Sequence, residues 1–335
     1  MAVPAGVVVT NAMPTAEGTI PAACPWRKRL VFAAKLVVAA CLLVWLVVSG
    51  RLDLSQLRDI HHTGYLVAAA GALLVSMVLP VWRWIWLLET QQLTVGWLTA
   101  LRMMWLGYFA GLFLPGAAGG DLAKAYAACR NQPAAKTRAV STILLDRAIG
   151  LHSMLVIGSL AGLGVAASGC TPGQAALVGS VLVFAAAGSA GLFLVFWRPT
   201  SERVLRLMPT RFREALGDSL GLYRLSWRKL AGIWLFSGLC NGAAIASYIL
   251  AAAALGMTAS VGQVLVVPLV IVANSLPISP GGLGVGEAVG SQAFIEFGLT
   301  SGSIIVLLVR LGVVAFSALG AVAVLGRFKT ERVAD

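Results

Sequence analysis

Six stretches of this chain, near residues 30–49, 65–82, 141–165, 175–197, 230–254 and 302–326, stay apolar for long enough to cross a bilayer, which takes roughly 17–25 residues of helix. They read as membrane-spanning helices. Two further apolar regions, about 98–120 and 263–296, are interrupted by glycine and proline. With 59% hydrophobic and only 11% charged residues among 335, and a mean hydropathy of +0.88, the chain has more apolar surface than a soluble core can hide. It reads as an integral membrane protein.

The net charge of +12 does not point to nucleic acid, because the cations lie between the spans. Arg27, Lys28, Arg29 and Lys35 precede or open the first span, and Arg83 follows the second. Lys124, Arg130, Lys136 and Arg138 precede the run at 141. The densest group is Arg198, Arg203, Arg206, Arg211, Arg213, Arg224, Arg228 and Lys229, and Arg327, Lys329 and Arg332 close the chain. The positive-inside rule makes all of these segments cytoplasmic. The segments 51–64, 166–174 and 255–262, with only Arg51 and Arg58 between them, are then outside. Walking the chain with these signs, region 98–120 leaves the cytoplasm and returns to it, whereas 263–296 starts and finishes outside.

Those two regions share a pattern. Leu114-Pro115-Gly116-Ala117-Ala118-Gly119-Gly120 and Leu276-Pro277-Ile278-Ser279-Pro280-Gly281-Gly282 both read Leu-Pro, three residues, Gly-Gly, and each is followed by an acid, Asp121 or Glu287. Irregular backbone at membrane depth is tolerated only where protein or a wet cavity satisfies the freed polar groups. Paired interruptions in corresponding halves point to a transport site near the midplane. The expected architecture is an all-α polytopic membrane protein with about six full spans plus two re-entrant broken-helix hairpins in an inverted repeat. Residues 1–25 are expected to be a disordered tail, 26–330 one transmembrane domain, and 198–229 a basic cytoplasmic loop within it.

Ionisable side chains at membrane depth are costly and usually face a cavity or a partner. Asp121 and Lys124 are placed at the close of the first hairpin, Arg102 on its entering limb, Asp146 and Arg147 in the first turns of the 141–165 span, Glu287 on the second hairpin, and Arg310 inside the last span. Asp146 and Arg147, about 100° apart on a helix, do not face each other. The expected pairs are Arg147 or Arg102 with Asp121, and Arg310 with Glu287. Glycine-rich turns that lead into helices also expose N–H groups to an anion, and arginine grips phosphate with parallel hydrogen bonds. A phospholipid or polyprenyl-phosphate headgroup suits this set better than a sugar or a metal ion.

Other features are weaker. His61-His62 lacks carboxylate or cysteine partners at metal-ligand spacing, and the five cysteines read as small hydrophobes. Trp82, Trp84 and Trp86 read as an interfacial anchor around Arg83. The 198–229 segment alternates arginine with apolar residues and reads as a topology determinant or an amphipathic stretch on the anionic leaflet. Neither a P-loop nor a zinc motif is present, so no cofactor and no catalytic role are expected.

Three ordered motifs resemble those of the lysylphosphatidylglycerol synthase transmembrane-domain family. They are Arg102 through Gly107-Tyr108-Phe109 to Leu114-Pro115-Gly116 and Gly119-Gly120-Asp121; Ser141-Thr142 with Asp146-Arg147-Ala148-Ile149-Gly150-Leu151; and Pro277 with Gly281-Gly282-Leu283-Gly284 and Glu287. The resemblance covers roughly residues 26–330 and implies a flippase-like multi-pass protein of a bacterial inner membrane, with both termini cytoplasmic. In the synthases this part is associated with moving an aminoacylated phospholipid, while a separate soluble domain transfers the amino acid; that activity is not carried over here.

The expected function is translocation of a polar or phosphorylated lipid without an ATPase. Gly119, Gly120, Gly281, Gly282 and Gly284 would permit close backbone approach, Arg102, Arg147 and Arg310 would hold the phosphate, and Asp121, Asp146 and Glu287 would balance charge or relay a proton. The rival readings are a membrane-embedded transferase acting on a lipid-linked substrate, which the short outer segments disfavour, and a non-transporting partner of a lipid-modifying enzyme.

Overall fold

The computed structural model describes residues 62–114, 116–206, 209–258, 260–275, 285–298 and 302–328. The expected tail, the first span at 30–49 and the second Leu-Pro-xxx-Gly-Gly turn, with Gly281, Gly282 and Gly284, lie outside these residues. Among the described residues eleven helices and no strand occur: α1 (Thr63–Thr90), α2 (Trp97–Gly111), α3 (Gly116–Asn131), α4 (Lys136–Ala167), α5 (Pro172–Phe196), α6 (Arg198–Arg206), α7 (Thr210–Leu225), α8 (Trp227–Ala254), α9 (Val261–Ser275), α10 (Val285–Ile295) and α11 (Gly302–Phe328). The helices α1, α4, α5, α8 and α11 are long and apolar enough to cross a membrane. They match the expected spans other than the undescribed first one.

Two antiparallel pairs of shorter helices complete the bundle. The two helices α2 and α9 are 15 residues each, about 22 Å at 1.5 Å per residue, which is short of a hydrocarbon core of about 30 Å. In the first pair, Gln132 Nε2 donates to the Thr94 carbonyl at 3.2 Å, so α2 begins where α3 ends. In the second, a Cβ on Gly262 would run into the Phe297 ring, so α9 begins where α10 ends. The first base lies at the end of the bundle where Gln91 Nε2 reaches the Ser219 carbonyl of α7, at 3.1 Å. The second lies at the other end, where Gln174 Nε2 donates to the Glu296 carbonyl at 2.8 Å. The His62 N–H meets the Ala254 carbonyl at that same end, at 3.4 Å. The segments assigned inside and outside by charge thus gather at opposite ends.

The order long helix, hairpin, long helix occurs twice with opposite sense: α1, α2–α3, α4 and then α8, α9–α10, α11. The leading helices α1 and α8 pack along each other, and each closing helix packs on the other half's hairpin. Gly158 and Gly162 of α4 admit Pro268 and Leu265 of α9, and Gly320 of α11 admits the Trp105 indole of α2. The Trp105 Nε1–H also donates to the Phe316 carbonyl at 3.0 Å.

Several boundaries differ from the sequence reading. Helix α1 continues past 82 to Thr90, and Arg83 is buried within it instead of following it into a loop. Trp84 is fully buried and donates to Thr142 Oγ1 at 3.0 Å, so of the tryptophan triplet only Trp82 and Trp86 are exposed enough for an anchoring role. The first hairpin runs on to Asn131, so Asp121 and Lys124 lie inside its returning limb and do not close it. A tally of charges treats each ionised group as water-seeking; these groups are neutralised by one another. The basic 198–229 segment folds as α6 and α7, and α7 packs against α4 and α8.

Candidate functional site

Buried charge organises the end of the bundle nearest α7. Arg83 of α1, Lys124 of α3 and Asp146 of α4 are each less than 10% exposed. Arg83 Nε donates to Asp146 Oδ1 at 2.8 Å, and Lys124 Nζ lies 3.3 Å from Asp146 Oδ2. Arg83 Nη1 also donates to Ser237 Oγ of α8 at 2.7 Å, and Lys124 Nζ sits 4.0 Å above the Trp84 ring. Gly150 makes room for the guanidinium, since a Cβ there would lie 3.1 Å from Arg83 Nη1. One carboxylate therefore holds two cations from two other helices. With its groups shut away from water, the triad ties the first hairpin to α1, α4 and α8, and removing one partner would strand a buried charge.

Arg147 occupies different surroundings. It lies eleven residues into α4, about 17 Å from that helix's start, and its Nε is 3.8 Å from Asp121 Oδ2, with the two side chains 36% and 33% exposed. This is one of the pairings expected from sequence. Its Nη2 donates to Ser275 Oγ at 3.0 Å. Asp121 stands in the second turn of α3, just past the first Leu-Pro turn, and Ser275 is the last residue of α9, just before the second. Arg147 therefore joins the tips of the two hairpins. Beside it, Arg310 Nη2 of α11 donates to Asn274 Oδ1 of α9 at 3.2 Å. Both arginines meet the C-terminal end of α9, where the helix dipole favours cations.

The remaining expected residues are distributed as follows. Arg102 lies half-buried on α2. Gly119 and Gly120 are helical and serve packing: a Cβ on Gly120 would lie 2.5 Å from the Gly107 carbonyl oxygen, and one on Gly119 would strike Leu114. Glu287 falls within α10, but its side chain, and hence the pairing expected with Arg310, lies outside the described residues. Sequence reasoning did not place Arg83 in the site; the available signal was its position as the one charge inside the otherwise apolar run Val81-Trp82-Arg83-Trp84-Ile85-Trp86. Among the described residues, no cluster of three or more His, Cys, Asp or Glu side chains could hold a metal.

Fold and charge placement together define a multi-pass helical membrane protein whose two inverted halves meet at an arginine-bearing junction. The family profile described as the lysylphosphatidylglycerol synthase transmembrane region matches residues 32–323, and the chain belongs to that family. The family's name ties such membrane regions to lipid handling. No curated protein and no solved structure matches the chain.

Proposed function

We propose that the protein flips a polar, phosphate-bearing lipid across the bacterial inner membrane, with the two hairpins re-entering the bilayer from opposite faces and both termini cytoplasmic. The observation that carries this reading is Arg147, a partly exposed cation about a third of the way along a spanning helix that bridges Asp121 of one hairpin to Ser275 of the other. Charge at such depth is expensive and marks a pathway more often than a structural lock. A guanidinium presents a planar fork of N–H donors that fits a phosphate in two parallel bonds. An arriving phosphate competes with Asp121 for that fork, so headgroup binding loosens the contact between hairpin tips and couples the lipid to rearrangement of the two halves. Arg310, at the same end of α9, is a second phosphate ligand. The driving force is the lipid's own gradient or an ion gradient.

The test is a reconstituted assay in which a fluorescent phosphatidylglycerol crossing the bilayer is counted by its protection from an impermeant quencher. A charge-assisted hydrogen bond to phosphate is worth about 1.5–3 kcal/mol. Arg147→Ala is accordingly expected to slow flipping by about tenfold or more at unchanged membrane abundance, with Arg310→Ala acting in the same direction. Unchanged flipping in both variants would remove the assignment.

A further inference from the structure

A second feature lies away from the hairpin junction. The helices α4, α5, α7 and α8 enclose an open groove of about 450 Å³ in which every lining side chain but Arg224 is aliphatic or aromatic. Leu145 and Ile149 of α4 form its back, Phe193 and Phe196 of α5 one wall, and Trp227 and Trp234 of α8 the other. Trp227 and Trp234 are two helical turns apart, about 10 Å along the axis, so the groove runs lengthwise between spanning helices. Phe193 and Trp227 are more than half exposed. Such a surface is unfavourable in water and natural against hydrocarbon.

Its mouth is cationic. Arg224 is held there by bonds from Nε to the Phe196 carbonyl at 3.0 Å and from Nη2 to Ser201 Oγ. The Arg228 guanidinium lies 5.5 Å from the centre of the Trp227 ring. Through Ser201 the Arg224 contact also brings α6, which carries Arg198, Arg203 and Arg206 in its sequence, up to α7 at this end. A slot that is apolar along the membrane normal and positive at one end matches a single amphiphile, with the chain inside and an anionic head at the mouth.

We propose that this groove is a resident site for an anionic phospholipid of the leaflet beside α6 and α7, its acyl chain along Ile149 and Trp234 and its phosphate against Arg224 and Arg228. The bound lipid fastens the basic helices to the spanning bundle. It is a fixed component, separate from any lipid moved at the hairpin junction.

Native mass spectrometry of the full chain, loaded with dioleoyl phosphatidylglycerol or dioleoyl phosphatidylcholine, tests this. A background carrying both Arg147→Ala and Arg310→Ala keeps lipid at the junction from being counted. Each cation near a charged surface contributes about 1 kcal/mol, so phosphatidylglycerol is expected to be retained about fivefold or more over phosphatidylcholine. Arg228→Gln, a change at an exposed position, is expected to reduce that preference about fivefold. Ala231→Trp, at another exposed lining position, fills the slot and is expected to abolish retention of both lipids. Equal retention of the two lipids, or an undiminished phosphatidylglycerol preference in Arg228→Gln, overturns the proposal. Undiminished lipid retention in a folded Ala231→Trp protein does so as well.

Discussion

Asp146 is the residue on which the described charge network closes, because both of its oxygens are committed to cations that have little other access to water. Asn in its place would keep the shape and remove the charge, leaving Arg83 and Lys124 facing each other. Breaking a buried pair in this way costs about 3–5 kcal/mol, so Asp146→Asn is expected to lower the unfolding temperature and the membrane abundance sharply. Lys124→Met should be the milder change, since Arg83 still neutralises Asp146 and a methionine chain can rest on Trp84. Thermal melting of the two purified variants checks the order, and equal stability would show that the triad does not lock the bundle. Arg147, the next residue after Asp146 yet partly exposed, is the residue for which transport and stability effects should separate. The Asp121–Arg147 pairing was legible because it couples two charges in neighbouring elements. The Arg83–Asp146 bond joins residues 63 positions apart, and no local pattern announces it.

At the scale of elements, each hairpin is defined by how closely its two limbs approach. The limbs α2 and α3 cross where Gly107 and Gly111 face Gly120, with no side chain between backbones. Such small-residue contacts let helices associate in lipid, where hydrophobic burial supplies no net attraction between them. Gly120→Ala would place a Cβ 2.5 Å from the Gly107 carbonyl oxygen, backbone against backbone, with no flexible side chain to yield. Overpacking of this kind costs about 1–3 kcal/mol, and the shift would move Asp121, one residue on, away from Arg147. Gly120→Ala is therefore expected to reduce both stability and lipid flipping. Gly179→Ala, which meets nothing within 4 Å, should leave both intact. A flipping rate and melting temperature at wild-type values in Gly120→Ala would show that the crossing has slack. The sequence showed these glycines as turn formers beside a ligand; the packed structure uses them as contact surfaces, a distinction that depends on which helix lies opposite.

For the whole molecule the inverted arrangement makes a claim about sidedness. Gln132 marks the base of the first hairpin and Glu296 the base of the second, at opposite ends of the bundle. With the five native cysteines replaced, Gln132→Cys should react with an impermeant maleimide only from the cytoplasmic side and Glu296→Cys only from the outside. Labelling of both from one side would remove the inverted topology and with it the transport reading of the junction between the hairpins. The exchange of closing helices, α4 on the second hairpin and α11 on the first, explains why neither half is a self-sufficient unit. Each hairpin is too short to span, and the other half's long helix completes its packing.

The sequence by itself determined what composition, period and sign can encode: apolar helices of bilayer length, the gathering of arginine and lysine into one set of connecting segments, two Leu-Pro-xxx-Gly-Gly interruptions, and membership in the family whose motifs it carries. These properties reside in runs of neighbouring residues and survive without knowledge of the partner. Only the tertiary structure decided that Arg83 turns inward to Asp146, that Lys124 rests on Trp84, and that Arg147 pairs with Asp121 while reaching across to Ser275. The reason is physical: the cost of a charge at membrane depth is set by what lies within a few ångströms of it, and that neighbourhood is assembled from helices far apart in the chain.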